Sequence, residues 1–510
     1  MNELTKSAYL RAQVLYWIMA ALLFAFLDYW KMLGMRPQGI HFMRQTDSLS
    51  IILHYLKTGM HFWEPGILNL ESIDGKTASE FPFFYYLLAW GYKLFGEHES
   101  WLRLLNTSLL FLGFNGVFRI CLLHFRHIVL SLAVTFLLWG SMIIFYYGNN
   151  FLPDATALGL TLCGFYFMYR YIFLEGKPKT ATFGMTLMIL ASLIKVSYFV
   201  YPTACVLTVL TFEWFVNRTF VKDIFKKHAK LLLLFAAGVL GILSWILYIK
   251  QYNLDHNGYF LVRSRSILMA DSVDRMQVIK HVTSWWADSY YPTLTKYLLF
   301  LLFVVGLTRF RQTDLRWVIL SLFCMAGAFA FFLLFFLQFK DHDYYFLAII
   351  PAIIIATIFS ITSILENQPL PNFRLVFTLL LCVVALKGLD YSKQKLWNRF
   401  AESKNDLYSK VGQQLDGSNV MVDEAGISRD ARLIIVMDKN VNGGLYFTGR
   451  LGWPLMDTNE VWMKRIPGMI EDGASHFVLL DSSFAQFPMI ETHLGKRVLS
   501  NDRFQVFETR

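Results

Sequence analysis

About eleven apolar runs recur along this chain, near residues 12–30, 104–124, 128–147, 155–174, 180–197, 199–216, 230–249, 294–309, 315–337, 344–365 and 373–389. Each approaches the roughly 20 residues a helix needs to cross a hydrocarbon core. Inside a bilayer, backbone N–H and C=O groups find partners only within a helix or a closed barrel, so runs of this length commit the chain to helical spans. The expected fold is a polytopic α-helical membrane protein of about eleven transmembrane helices. The break between the fifth and sixth runs, around Lys195 and Pro202, is the shortest. With 55% hydrophobic and 17% aromatic residues among 510, too little polar surface remains for a soluble fold of this size.

The formal net charge of +10 suggests nucleic acid until the basic residues are placed. With the N-terminus inside, the loops predicted to be cytoplasmic hold Arg126, Arg170, Lys177 and Lys179; then Arg218, Lys222, Lys226, Lys227 and Lys230; then Arg309, Arg311, Arg316 and Arg374. The short loops of the other side hold only Lys195 and Lys340. This asymmetry follows the positive-inside rule, so the charge sets orientation and implies no nucleic-acid partner. The first run follows Lys6 and Arg11 but contains Tyr16 and Trp17 and has no small-residue cleavage site, so it reads as a retained helix. All five cysteines fall inside apolar runs, as small core residues rather than a disulfide or metal framework.

Three segments then face outward: 31 to about 102, 250–293, and the tail from about 390. In the first, Ser48–Leu56 and Phe83–Phe95 have the spacing of amphipathic helices lying in the membrane interface. The second holds His281, Trp285, Trp286 and Tyr290-Tyr291, which suit either sugar stacking or interfacial anchoring. The tail changes character. Short apolar runs at Val420–Val422, Leu433–Val436 and Phe477–Leu480, separated by turn residues, predict a small α/β domain, with Asn442-Gly443-Gly444 turning into a strand at Leu445–Phe447. The expected division is 1–390 for the membrane domain and 391–510 for the C-terminal domain.

A charged side chain at the centre of a span costs roughly 2.5–3.5 kcal/mol on insertion scales, so ionisable residues collected at span ends on one face point to a task. Here they are Arg44 and Asp47 after the first run, Glu80 in Ser79-Glu80-Phe81-Pro82, Asp154 after Pro153, Lys195, and Lys340-Asp341-His342-Asp343-Tyr344-Tyr345. Such a set suits a displacement in which a hydroxyl attacks a carbon that carries a phosphate leaving group. A carboxylate such as Asp47 accepts the hydroxyl proton. Lysine, arginine and histidine stabilise the departing phosphate, and with cations in that part no metal is required. Plainer readings stand beside this one. Glu80 also suits a helix cap, Asp154 a first-turn acid, Lys195 a snorkelling side chain, Tyr344 and Tyr345 an aromatic belt, and Arg44 an orienting partner that lowers the pKa of Asp47. A metal built on Glu80 with His256 or His281 is a further possibility that the spacing leaves open.

The sequence resembles the GT-C superfamily of membrane glycosyltransferases, in particular the bacterial relatives of protein mannosyltransferases and of the aminoarabinose transferases. The resemblance rests on Arg44-Gln45-Thr46-Asp47, Glu80-Phe81-Pro82, Tyr85-Tyr86, Phe95-Gly96, Arg103, Pro153-Asp154, Lys195 and His342-x-Tyr344-Tyr345, and covers about residues 1–390. It implies transfer of a sugar, with inversion, from a polyprenyl-phosphate carrier to a lipid, glycan or protein acceptor at the outer face of a bacterial inner membrane. Asp47 takes the position of the catalytic base, and Glu80 and Asp154 those of supporting acids. Lys195, His342 and Tyr345 take donor-phosphate positions, to which the local charge adds Arg44 and Lys340. Two departures matter. Phe81-Pro82-Phe83 stands where the aminoarabinose transferases have Lys-Pro-Pro, which argues against that sugar, and Ser48 follows Asp47 where the eukaryotic mannosyltransferases have Glu. The competing reading from another class is a transporter or flippase. Transporters show paired repeats and midplane polar groups, whereas this chain gathers its ionisable residues at one face.

Overall fold

The computed structural model describes residues 5–260, 264–366, 372–402 and 405–510. The chain forms two compact units, one of Met1–Leu33, Arg103–Trp245 and Arg263–Trp397, the other of Gly34–Leu102, Ile246–Val262 and Asn398–Arg510.

The first unit is helical. Among the described residues, seven helices of the chain are long and apolar enough to cross a membrane: Lys6–Phe26, Ser100–Phe125, Asp154–Leu174, Val196–Val216, Val221–Asp255, Leu315–Leu334 and Asp343–Leu365. The pair Ile128–Trp139 and Met142–Gly148, bent by 78°, makes an eighth if taken as one span. Pro178–Ile194 and Thr293–Thr308 are shorter apolar helices. Each expected run is helical, Phe373–Glu402 included, but among the described residues seven or at most eight, not eleven, are long and apolar enough to span.

Small residues set the helix spacing. A Cβ added to Gly306 would lie 2.7 Å from the Ser360 Cα, and one on Gly113 would lie 2.7 Å from the Gly159 carbonyl oxygen. With no hydrophobic drive between helices in lipid, such close backbone approach is how dispersion contacts accumulate. The helix Ile350–Leu365 is buried from Ile350 to Ile364. Its Thr357, Ser360, Thr362 and Ser363 hydroxyls donate to carbonyls one turn back, so they sit in the interior with their donors satisfied. All five cysteines are unpaired, three of them fully buried.

The second unit combines the first polar segment with the tail. Its sheet has strands β1 (Arg432–Val436), β2 (Leu451–Leu455), β3 (Ala474–Leu479), β4 (Leu494–Ser500) and β5 (Gln505–Thr509) in the order β2-β1-β3-β5-β4. β1 pairs parallel with β2 and β3; β5 pairs antiparallel with β3 and β4. The segment around Asn69 runs beside β2: Leu70 N–H donates to the Gly452 carbonyl at 2.8 Å and Gly452 N–H to that of Leu68 at 3.1 Å. The helix Phe373–Glu402 runs on past residue 390, and the sheet begins only at Arg432.

Two local expectations are corrected. Leu445–Phe447 lies in the helix Gly443–Thr448 and not in a strand, because a three-residue apolar run carries no period and its caps and burial decide. The stretch Ser48–Leu56 belongs to the helix Phe42–Lys57, which is buried from Gln45 to Tyr55 and is a core element rather than a surface one. Gln45, Thr46, Asp47, Ser48 and Ser50 are hydrogen-bonded inside the unit, which is why a half-polar helix tolerates burial. The helix Phe83–Phe95 keeps the expected character. It buries Tyr85, Leu88, Ala89 and Tyr92, exposes Leu87, Leu94 and Phe95, and ends at Gly96, whose φ of +91° suits only glycine.

Candidate functional site

The site residues fall into two clusters, one in each unit. In the second unit, Asp47 sits in the second turn of the helix Phe42–Lys57. The chain before this helix is fixed by Gln45, whose amide donates to the carbonyls of Gln38 at 2.7 Å and Ile40 at 3.1 Å, and by Ser409, which bonds the backbone of Gly39. Arg44, one turn before Asp47, places Nη1 3.5 Å from Asp47 Oδ2 and Nη2 2.7 Å from Glu80 Oε1. One guanidinium therefore spans two carboxylates whose side chains are 7% and 8% exposed. Glu80 also accepts from the Ser79 hydroxyl. Its loop is clamped by Asn253, which accepts from Ala78 N–H at 2.8 Å and donates to the Ala78 carbonyl at 2.9 Å. The helix that follows takes Pro82 as its N-cap with no side-chain cap bond, so Glu80 is a partner of Arg44 and not a capping residue.

The sequence did not signal the other partner of Asp47. Asn442 Nδ2 donates to Asp47 Oδ1 at 2.8 Å, and the Ser50 hydroxyl donates to Asn442 Oδ1 at 2.9 Å while accepting from Leu68 N–H at 2.7 Å. The loop that presents Asn442 wraps the buried Asp438 carboxylate, which accepts from Asn440 N–H and its amide, both at 2.9 Å, and from Gly444 N–H at 2.6 Å. Gly444 has no room for a side chain, since a Cβ would lie 2.8 Å from Asp438 Oδ2. What reads as a plain Asn-Gly-Gly turn is thus a built loop. A polar residue two before Asn442 and two more before that, at Asn440 and Asp438, was the available clue.

Burial dominates the electrostatics. It raises the Asp47 pKa to about 6, with the Glu80 charge adding to the rise, against the lowering effects of Arg44 and of the Asn442 hydrogen bond. Arg44 lowers the pKa as expected, but desolvation outweighs it. Burial likewise lifts Asp438 to about 6, opposed by its N–H donors. A carboxylate with a pKa near 6 is ionised at neutral pH yet basic enough to accept a proton from a reacting hydroxyl.

The second cluster lies in the first unit. Asp154 opens the helix Asp154–Tyr169, and Lys195 ends the helix Pro178–Ile194, with Nζ 3.5 Å from Asp154 Oδ2. The loop before Asp154 is held by Asn106, which donates to the carbonyls of Asn150 at 2.8 Å and Leu152 at 3.0 Å, and by the Arg103 guanidinium over the Phe151 ring at 4.1 Å. The Lys195 ammonium lies 6.0 Å from the centroid of the Tyr344 ring, which in turn contacts His342 and Tyr345 at centroid separations of 5.2 and 5.1 Å. Asp343, which the sequence did not single out from its neighbours, accepts from the Tyr147 hydroxyl. Lys340 enters through its backbone: its carbonyl accepts from His281 Nδ1 at 2.7 Å and Trp286 Nε1 at 3.2 Å, and among the described residues its ammonium forms no ion pair.

Asp47, Glu80 and Arg44 are thus gathered in one unit, and Asp154, Lys195, His342 and Tyr345 in the other. Among the described residues, no group of three or more His, Cys, Asp or Glu side chains is placed to hold a metal ion.

No family model and no curated protein matches the chain. Solved structures do. ArnT from Cupriavidus metallidurans bound to undecaprenyl phosphate aligns over 99% of this chain and 98% of its own, with a TM-score of 0.60 at 13% identity. The archaeal oligosaccharyltransferase AglB from Archaeoglobus fulgidus, in complex with an inhibitory peptide and a dolichol-phosphate, aligns over 95% of this chain and 72% of its own, with a TM-score of 0.52 at 13% identity. The arabinofuranosyltransferase AftD from Mycobacteria aligns over 98% of this chain and 40% of its own, with a TM-score of 0.55 at 13% identity. Across almost its whole length, this chain has the fold of the GT-C membrane glycosyltransferases.

Proposed function

We propose that the chain is an inverting glycosyltransferase that moves a hexosyl or pentosyl group from a polyprenyl-phosphate carrier to a lipid, glycan or protein acceptor. The observation that carries this reading is the buried Asp47, bonded by Arg44 and Asn442 and poised near pKa 6, in a chain with the GT-C fold. In the reaction, Asp47 takes the proton of the acceptor hydroxyl as its oxygen forms a bond to the anomeric carbon. The bond from that carbon to the phosphate oxygen breaks, and the electron pair leaves with the polyprenyl phosphate. Arg44 holds Asp47 and Glu80 in register. For the growing phosphate charge the proposal assigns Lys195, Lys340, His342 and Tyr345, with Asp154 fixing Lys195 and Arg44 as a further cation. Cations in this part leave no step that needs a metal or cofactor.

The carrier explains the scaffold. Each buried CH₂ of a polyprenyl tail favours the bilayer by about 0.8 kcal/mol, so the enzyme meets its donor there. The proposed arrangement has about eleven spans in a bacterial inner membrane, with residues 1–390 as the transferase body and the tail 391–510 extracytoplasmic. The tail's contribution is Asn442 at Asp47. The test is to incubate the purified protein with a panel of polyprenyl-phosphate sugars and candidate acceptors, comparing wild type with Asp47→Asn. Transfer by wild type alone supports the reading; equal rates sink the base assignment, and carrier-independent solute uptake in vesicles replaces the reading with a transporter.

A further inference from the structure

The helix Phe42–Lys57 has Asp47 near one end and Lys57 at the other. Ten residues of helix separate their roots by about 15 Å. The Lys57 end opens on a cavity of about 450 Å³ that includes none of Asp47, Arg44, Glu80 or Asn442. This lies within the range of about 300–1,000 Å³ typical of small-ligand sites.

The charges around it are unevenly matched. Arg450, 2% exposed, donates to the carbonyls of Ser428, Thr448 and Ile427 and to Asp423 at 2.5 Å, and Asp423 also holds Arg429 at 2.9 Å. Glu99 is held by Arg36 at 3.2 Å and by the Tyr446 hydroxyl at 2.9 Å. Lys57 is left over. Its half-buried ammonium donates to the Arg429 carbonyl at 3.2 Å and, among the described residues, forms no ion pair. Burial and the Arg450 and Arg429 charges hold its pKa below the usual lysine value, against the raising effect of the Glu97 and Asp430 carboxylates. Beside it, the buried Tyr92, Tyr446 and Leu53 give an apolar and aromatic wall, and Glu97, His98 and Asn419 give polar groups. An aromatic wall receives the C–H face of a pyranose, polar side chains receive its hydroxyls, and an ammonium outside any ion pair, in a lining with four Lys and Arg side chains against three acids, receives an anion.

We propose that this cavity binds an anionic saccharide, a sugar acid or sugar phosphate, with Lys57 as the partner of the anionic group, as a site separate from the Asp47 cluster. The inference rests on the geometry of this unit and not on the transferase reading. It is tested by calorimetric titration of the purified full chain in detergent with glucuronate, glucose 6-phosphate, glucose and inorganic phosphate. Glucuronate and glucose 6-phosphate are expected to bind and to compete with each other, with glucose and inorganic phosphate at least tenfold weaker. Lys57→Met weakens both anionic sugars at least tenfold, Lys57→Arg restores them, and Asp47→Asn leaves them unchanged. The competition needs no variant, so it stands even if Lys57→Met unfolds. No binding to wild type, equal binding of glucose, inorganic phosphate as tight as glucose 6-phosphate, or loss of binding in Asp47→Asn would each overturn the proposal.

Discussion

The two clusters set a buried acid beside a cation in different company. Around Asp47, two carboxylates share one guanidinium, and the remaining partner is a neutral amide. Around Asp154, one carboxylate meets one ammonium, and the neighbours are aromatic rings and a phenol-bonded acid. Around Asp47 burial is the largest influence and lifts the pKa to about 6, with the Glu80 charge adding to the rise, which suits the base role proposed for it. Around Asp154 the carboxylate holds the Lys195 ammonium, the cation proposed above for the donor phosphate. The difference teaches that a carboxylate's surroundings, more than its presence, distinguish the base proposed at Asp47 from the positioning acid proposed at Asp154.

Substitutions break or sharpen this contrast. The largest effect is expected of Asp47→Asn, which should lower kcat by about 10²–10⁴-fold with little change in donor KM, in line with the loss of a general base. Lys195→Met should act mainly on donor KM and less on kcat; parallel losses in both variants would erase the distinction. Arg44→Met removes the main charge that lowers the Asp47 pKa, so the acid limb of the rate profile should move up from about 6 by roughly one unit or more. It also strands two buried acids, and unfolding experiments should show a loss of about 3–5 kcal/mol.

Stability against pH gives a third measurement. The Asp47 pKa lies near 6 in the folded chain against 3.8 for an ordinary aspartate. A raised carboxyl pKa contributes stability that is full below the unfolded value and is lost as pH rises through the folded one. Two units correspond to about 3 kcal/mol. Asp47→Asn, even while inactive, should therefore melt higher than wild type at pH 7.5 and no higher near pH 4. Melting lower at both would show that the ionised carboxylate is held better than its burial implies. Asn442→Ala has the smallest expected effect, about 1–3 kcal/mol from the lost bond and the unpaired Ser50, with a modest rise of the same rate limb and rescue by Asn442→Gln.

The apolar runs were legible as helices because a bilayer imposes length and composition on a span, but their number was not: among the described residues seven helices, or eight with the 78° pair Ile128–Trp139 and Met142–Gly148, are long and apolar enough, against eleven expected. Glu80 was legible as a companion of Asp47 through the motif around it, and Arg44 through its place one helical turn away. The pair Asp154 and Lys195 was visible as two charges at span ends, though not as a contact. Asn442 was not legible. It meets Asp47 across 395 residues, and the local signal of Asn442-Gly443-Gly444 is fully used by the turn it makes. For the same reason the buried character of Phe42–Lys57 escaped: its serines and threonine look solvent-facing until their partners are known.

The bonds from Leu68 N–H to Ser50, from Ser50 to Asn442 and from Asn442 to Asp47 all run in one direction. Each link is a donor toward the carboxylate, so the relay ends on Oδ1 as a fixed hydrogen bond. Oδ2 lies on the side of Arg44. The tail, through one amide, thus supplies a donor on the other edge of the base proposed above.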